Sequence, residues 1–284
     1  MANNLHDISM RFPGGKKKCL TLSYDDGLIQ DLRLCDLMKK WNIAGTFNIN
    51  TGMYPPDDTI LSPDYKGRLT VSKYKEIYLS SPLFEVATHC YTHPFINKLS
   101  LGEVAMEIIE DRRNIEKDFG GICRGHAYPY GAYTKEIIEL FKTCGIAYAR
   151  TTNATLSFNI PNNWLELNPT CHHAHPELMK LADKFVNDSP GKEPWLFYLW
   201  GHSYEFDNND SWYIIEDFFE KVANKDDVWY ATNIQVCDYT NAYRSLQFST
   251  DGNTIYNPTS TQIFICCNNR TDIKIAPGET VTLS

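Results

Sequence analysis

The strongest constraint in this sequence is an alternation. From Cys19 to about Tyr239, short apolar or β-branched runs (19–24, 45–50, 84–88, 122–127, 146–150, 195–201 and 228–232) are separated by stretches with apolar residues at helical spacing. Parallel strands need long crossovers, usually helices, so this texture predicts about seven βαβ units. The 284 residues, 43% of them apolar, can bury the core of one large α/β barrel or of two small domains. The expectation is a distorted (β/α)7 barrel over 1–245 with a β-rich appendage, 246–284, packed on it.

Local signals agree with that layout. Leu28, Leu32 and Cys35, then Leu34, Met38 and Trp41, give the first helix an apolar stripe, with Gly45 near its end. Ser100 and Glu103 form a capping-box pattern before the face Val104, Ile108, Ile109 and Ile115, and Gly120-Gly121 stops that helix. After Leu246 turn signals such as Asp251-Gly252-Asn253 and Pro277-Gly278 separate β-rich runs.

Composition narrows the partners. A net charge of -8 lacks the basic face that a phosphate backbone requires, so nucleic acid is excluded and a neutral or weakly charged small molecule is expected. The N-terminal Met-Ala-Asn-Asn-Leu-His-Asp segment has no apolar signal core and no run is long and apolar enough for a bilayer, which predicts a cytoplasmic protein without a membrane partner. Nine cysteines without a Cys-x-x-Cys pair read as reduced, small buried residues.

In parallel α/β architectures, ligands bind at the carboxyl ends of strands, where loops vary without disturbing the core. The polar residues fall there: Asp25-Asp26 after the first strand, His89 after the third, Tyr128 to Gly131 after the fourth, Arg150 at the end of the fifth and His202 after the sixth. Asp25-Asp26-Gly27 alone reads as a helix-capping turn, with Gly27 free to take positive φ. His89-x-x-x-His93 has the spacing of a two-histidine chelate, and Pro94 disfavours helix at His93, so the pair is placed on a loop. Together, one carboxylate and two imidazoles make a face that leaves metal coordination positions open.

The segments Ser23-Tyr24-Asp25-Asp26-Gly27, Thr88-His89-Cys90-Tyr91-Thr92-His93, Tyr128-Pro129-Tyr130-Gly131 and Trp200-Gly201-His202 resemble, in order and relative spacing, the successive motifs of the polysaccharide deacetylases, carbohydrate esterase family 4. That resemblance implies a hydrolase that removes acetyl groups from N- or O-acetylated sugars. It implies Asp25 as general base, and Asp26, His89 and His93 as ligands of one divalent metal: zinc first, cobalt or nickel otherwise. It further implies the Tyr130 N–H as oxyanion donor and His202 as acid. Trp200, two residues before His202, faces the same side of its strand and is a candidate wall of the acetyl pocket.

The resemblance departs at Ala127, where the family usually has an arginine that pairs with the catalytic aspartate. Arg150 is the candidate replacement, with Arg124 expected at a lower level of the barrel. Cys171-His172-His173-Ala174-His175 matches no motif; adjacent strand histidines point to opposite faces, so a polar or surface loop is expected there rather than a second metal site. Glu205 is placed to orient His202, ahead of Asp207 and Asp210. Two other readings are kept: hydrolysis of a non-sugar amide or cyclic ureide, as in allantoinase-like relatives, and a carbohydrate-binding protein that has lost catalysis with the third-motif arginine.

Overall fold

A run of eight residues buried on both faces, Lys18–Asp25, forms the central strand of the main sheet, as expected for a parallel strand covered on each side. The structure is a computed structural model and describes residues 6–60, 62, 65–268 and 271–283; residues 1–5 of the N-terminal Met-Ala-Asn-Asn-Leu-His-Asp segment lie outside them.

The strands are β1 (Ile8–Arg11), β2 (Lys18–Asp25), β3 (Gly45–Ile49), β4 (Phe84–Thr88), β5 (Gly125–Ala127), β6 (Tyr148–Arg150), β7 (Cys171–His172), β8 (Trp195–His202), β9 (Val228–Tyr230), β10 (Gln247–Phe248), β11 (Thr254–Tyr256), β12 (Ile263–Cys267), β13 (Thr271–Ile275) and β14 (Thr280–Thr282). The helices are α1 (Asp31–Trp41), α2 (Val71–Tyr78), α3 (Leu101–Phe119), α4 (Lys135–Thr143), α5 (Leu178–Asn187), α6 (Tyr204–Asn208), α7 (Trp212–Val222) and α8 (Asn233–Arg244).

The main sheet is parallel, in the order β6-β5-β4-β3-β2-β8-β7, with β9 also on β2. β2 forks: residues 18–20 pair with β9 and residues 23–25 with β3. Between β6 and β7 the ladder thins to a single Arg150–Leu167 bridge. This is the distorted (β/α)7 barrel the motifs imply. The two-residue β7 is not among the seven strand candidates; its stretch of histidines carries no alternation.

Capping follows the sequence. Ser100 and Glu103 close a capping box on α3, and Gly120, at φ 79°, stops it. Its buried face is Val104, Ile108, Asp111 and Ile115, while Ile109 points outward; a carboxylate fills the missing apolar position. α1 ends at Asn42 in the left-handed region rather than at a glycine, and its Leu32 is exposed while Leu34, Cys35 and Met38 are buried.

β1 pairs antiparallel with β12, which pairs with β13, while β10, β11 and β14 form a second small sheet. The N-terminal strand, grouped by sequence with the barrel, thus hydrogen-bonds into the C-terminal β segment. Ile255, Ile263, Ile265 and Ile275 pack with Met10, Tyr148, Tyr198 and Val236 in one apolar cluster, which seats the tail on the barrel. No described helix is long and apolar enough to cross a membrane.

Candidate active site

Register sets the rim. β2 and β8 run in step from Lys18–Trp195 to Asp25–His202, so Asp25 and His202 end adjacent strands side by side. Asp25 pairs likewise with Asn48 of β3, and Ala127 of β5 with Arg150 of β6. Among the described residues, four of the nine non-glycine positions with positive φ lie in the rim loops: Asp26 (76°), Cys90 (63°), His93 (58°) and Tyr130 (58°). Such backbone costs on the order of 1–3 kcal/mol each and concentrates where function over-determines geometry.

Asp26, His89 and His93 offer ligand atoms within 4.8 Å of one another. His93 Nε2 lies 3.1 Å from His89 Nε2 and 3.5 Å from an Asp26 oxygen. His89 Nδ1 donates to the Ala127 carbonyl at 2.8 Å, which leaves a bare lone pair on Nε2. Burial holds the His89 imidazole down at about 4, against the pull of Asp25 and Asp26, so the ring is neutral at pH 7. Two imidazole nitrogens this close, one bare, beside a carboxylate, form a donor set that a divalent cation fits.

The loop carrying the histidines is tethered by α3. Asp111 accepts from the His89 N–H at 3.0 Å and from the Thr51 N–H and hydroxyl at 2.8 and 2.7 Å. Arg68 bridges Asp26 (3.4 Å) and Asn50 (3.1 Å), and the Asn50 amide donates to the His89 and Cys90 carbonyls.

Asp25 is only 2% exposed. Its Oδ1 accepts from the Asn48 amide at 2.8 Å and its Oδ2 from Arg150, itself fully buried. Burial raises the Asp25 carboxyl, but the Arg150 guanidinium, then His89 and His202, outweigh it and hold the group below the usual carboxylate range. The guanidinium against Asp25 thus comes from Arg150, the register partner of Ala127 on the neighbouring strand. Arg150 also lies 4.3 Å from the Trp200 ring centroid, a cation–π contact that fixes both. Arg124 instead pairs with Asp238 on the surface.

His202 Nε2 lies 3.9 Å from Asp25 Oδ2, and its Nδ1 is 3.0 Å from Glu205 Oε1. Burial pushes the His202 imidazole down, but Glu205 and Asp25 raise it above its ordinary value. Asp207 turns away to Gln30 and Trp212. Asp25, Asp26, His89, His93, Tyr130, Trp200 and His202, with Tyr128, Thr152 and Tyr204, line a cavity of about 260 Å³.

Sequence reasoning missed Asn48, Asn50, Arg68, Asp111, Thr152 and Tyr204. The polar Asn48 and Asn50 at alternate positions closing an otherwise apolar strand were a usable signal; Arg68 and Asp111 left none. The loop expectation for His172 to His175 needs correction. The chain turns directly after His172, so His172 and His173 both approach one oxygen of Glu205, and His173 is buried.

Residues 13–149 match the family model described as polysaccharide deacetylase. Over this region, just under half of its length, the chain resembles the polysaccharide deacetylase family. The match covers Asp25, Asp26, His89, His93 and Tyr130 and ends before Arg150, Trp200, His202 and Glu205. Among solved structures, a provisionally assigned polysaccharide deacetylase from Mycobacterium smegmatis is 16% identical over 82% of this chain and 93% of its own, with a TM-score of 0.55. That likeness supports the barrel. The Streptococcus pyogenes deacetylase PplD, in complex with acetate, is 21% identical over 51% of this chain, with a TM-score of 0.45. A family 4 carbohydrate esterase from Streptomyces lividans, also with acetate, is 14% identical over 75% of this chain and 91% of its own, with a TM-score of 0.47. The chain spans 61% of the length of the Streptococcus protein. No curated protein matches the chain.

Proposed function

We propose that the protein is a metal-dependent hydrolase that removes an acetyl group from an N- or O-acetylated sugar or short oligosaccharide. The observation that carries this reading is the adjacency of two differently equipped carboxylates. Asp26 faces two imidazole nitrogens, whereas Asp25 is held ionised by Arg150 and stays out of the ligand set.

Asp26, His89 and His93 would hold the cation, zinc before cobalt or nickel given the two imidazole donors. When bound there, a divalent cation polarises the acetyl carbonyl and acidifies water. Asp25 takes the proton from the attacking water; its two hydrogen-bonded oxygens keep the carboxylate aimed and charged. The backbone N–H of Tyr130 is the donor for the oxyanion. His202, with its proton supply maintained by Glu205, protonates the departing amine or alcohol. Trp200 walls the acetyl pocket and braces Arg150.

The cavity of about 260 Å³ is smaller than the roughly 300–1,000 Å³ that encloses drug-sized ligands, which favours the acetyl group and its own sugar ring as the part that enters. Nine buried, free cysteines suit a reducing, cytoplasmic compartment. Acetate release from acetylated mono- and oligosaccharides, with and without added zinc or cobalt, tests the reading. Asp25→Asn is expected to lower release by about 10² or more; release unaffected by that change ends the mechanism.

A further inference from the structure

The proposed hydrolysis leaves the histidine pair behind His202 without a role, and the role inferred for that pair rests on His202 being the acid. Three imidazoles converge on Glu205. His202 Nδ1 meets Oε1 at 3.0 Å, while Oε2 lies 3.1 Å from His172 Nε2 and 2.9 Å from His173 Nε2. Burial raises the Glu205 carboxyl, yet hydrogen bonding from the three histidines holds it well below its usual range. Glu205 itself sits on α6, a helix of five residues, too short to fix a side chain by its own packing.

The histidines supply the rigidity that helix lacks. His173 is 2% exposed, stacks on Phe206 at 4.2 Å and on Tyr24 at 5.8 Å, and leaves no room beside it: a Cβ at Gly201 would fall 2.0 Å from its ring. His172 packs edge-on against Trp200 at 4.7 Å.

The trio also has the spacing of a cation site, and Oε2 is buried in close contact with the two rings but without a hydrogen bond of good geometry. The tautomers decide the matter. His172 Nδ1 accepts the Ala174 N–H at 3.2 Å, so its proton sits on Nε2, facing Glu205. His173 Nδ1 is buried without a partner. A metal on Nε2 would force a proton onto that nitrogen, where nothing accepts it, whereas a proton on Nε2 has the Glu205 oxygen 2.9 Å from its nitrogen as the nearest acceptor. Metal-bound imidazoles ordinarily give their second N–H to an acceptor, and neither ring has one.

We propose that His172 and His173 are positioning residues, two N–H donors that pin Glu205 so that it fixes His202 with its proton on Nδ1 and Nε2 turned toward Asp25 and the cavity. A general acid matters in proportion to the basicity of the leaving group. An amine leaving from an acetamido sugar needs the proton; p-nitrophenolate leaving from p-nitrophenyl acetate hardly does.

The test uses the full chain with His172→Gln and, separately, His173→Gln. Long-range ¹H–¹⁵N spectra of the histidine rings, with His202 assigned by its loss in His202→Gln, report the tautomer directly. The expected result is Nδ1–H at His202 in the natural chain and a mixture of tautomers in each variant. The ratio of acetamido-sugar to p-nitrophenyl acetate turnover should fall about tenfold or more alongside it. Should buried His173→Gln fail to fold, the partly exposed His172→Gln carries the test. An unmoved tautomer overturns the proposal, as does an unchanged ratio, or a second zinc equivalent per chain that His172→Gln abolishes. If the natural chain turns over neither substrate, the proposed function falls, and the tautomer spectra still decide the role of the pair.

Discussion

Removing the Arg150 guanidinium should strand a buried charge, and the size of the effect can be worked from the site. Asp25 and Arg150 are almost completely buried and in direct contact. At an effective dielectric of about 20, unit charges about 4 Å apart attract by about 4 kcal/mol. Breaking one side of a buried pair typically costs about 3–5 kcal/mol, a consistent figure. Arg150→Met should therefore lower Tm, measured with chelator present, by about 8–16 °C, taking about 2–4 °C per kcal/mol for a chain of this size. Asp25→Asn with Arg150→Met should recover much of that loss, giving a coupling of about 2–4 kcal/mol in the double-mutant cycle. The pH dependence carries the sign. Asp25 is held below its unfolded value, so its contribution is present above about pH 4 and lost as pH falls through the folded value; in Arg150→Met that acid-side loss should largely vanish. A single variant that costs under about 1 kcal/mol, or a cycle with no coupling, refutes the pairing as the reason Asp25 stays ionised.

Because Ala127 and Arg150 are register partners, Ala127→Arg in the Arg150→Met background should restore at least about tenfold of the lost acetate release, measured as kcat/KM. Asp26→Asn and His89→Gln should each abolish stoichiometric zinc binding by elemental analysis, and chelation of the natural chain should stop turnover reversibly. Asp111→Asn turns an amide N–H against a donor it now accepts from, so metal affinity should drop about 10–100-fold by competition titration while the barrel persists by circular dichroism. His202→Gln should cut acetamido-sugar hydrolysis about 10²–10⁴-fold and flatten the alkaline fall of the kcat/KM profile, whose midpoint in the natural chain should lie above the ordinary histidine value near 6.5.

Long, continuously buried strands announced themselves in the sequence: β2 and β8 are eight residues each with nearly every position inside. β7, of two residues, and β1, whose partner lies some 250 positions away, have no local pattern that distinguishes them from loop. At the site, the spacing of His89 and His93 and the doublet Asp25-Asp26 were legible because each is local. Arg150 was reachable by asking which cation could stand at a neighbouring strand end. Asp111 was hidden for the opposite reason: a carboxylate in the apolar stripe of α3 reads as a flaw in the periodicity until the loop it tethers is seen beside it. The His172–His173 pair escapes strand alternation because the strand ends between the two residues.

The pairing of β1 with β12 sets an order of events during synthesis. Met10 and Phe12 leave the ribosome some 250 residues before the segment that covers them, which runs through Cys267. Until then a nascent barrel must carry an open strand edge and an uncovered apolar patch, the kind of surface that holdase chaperones shield. A chain cut after about residue 245 would leave that edge open permanently, and should accumulate in inclusion bodies even though it carries every residue of the rim.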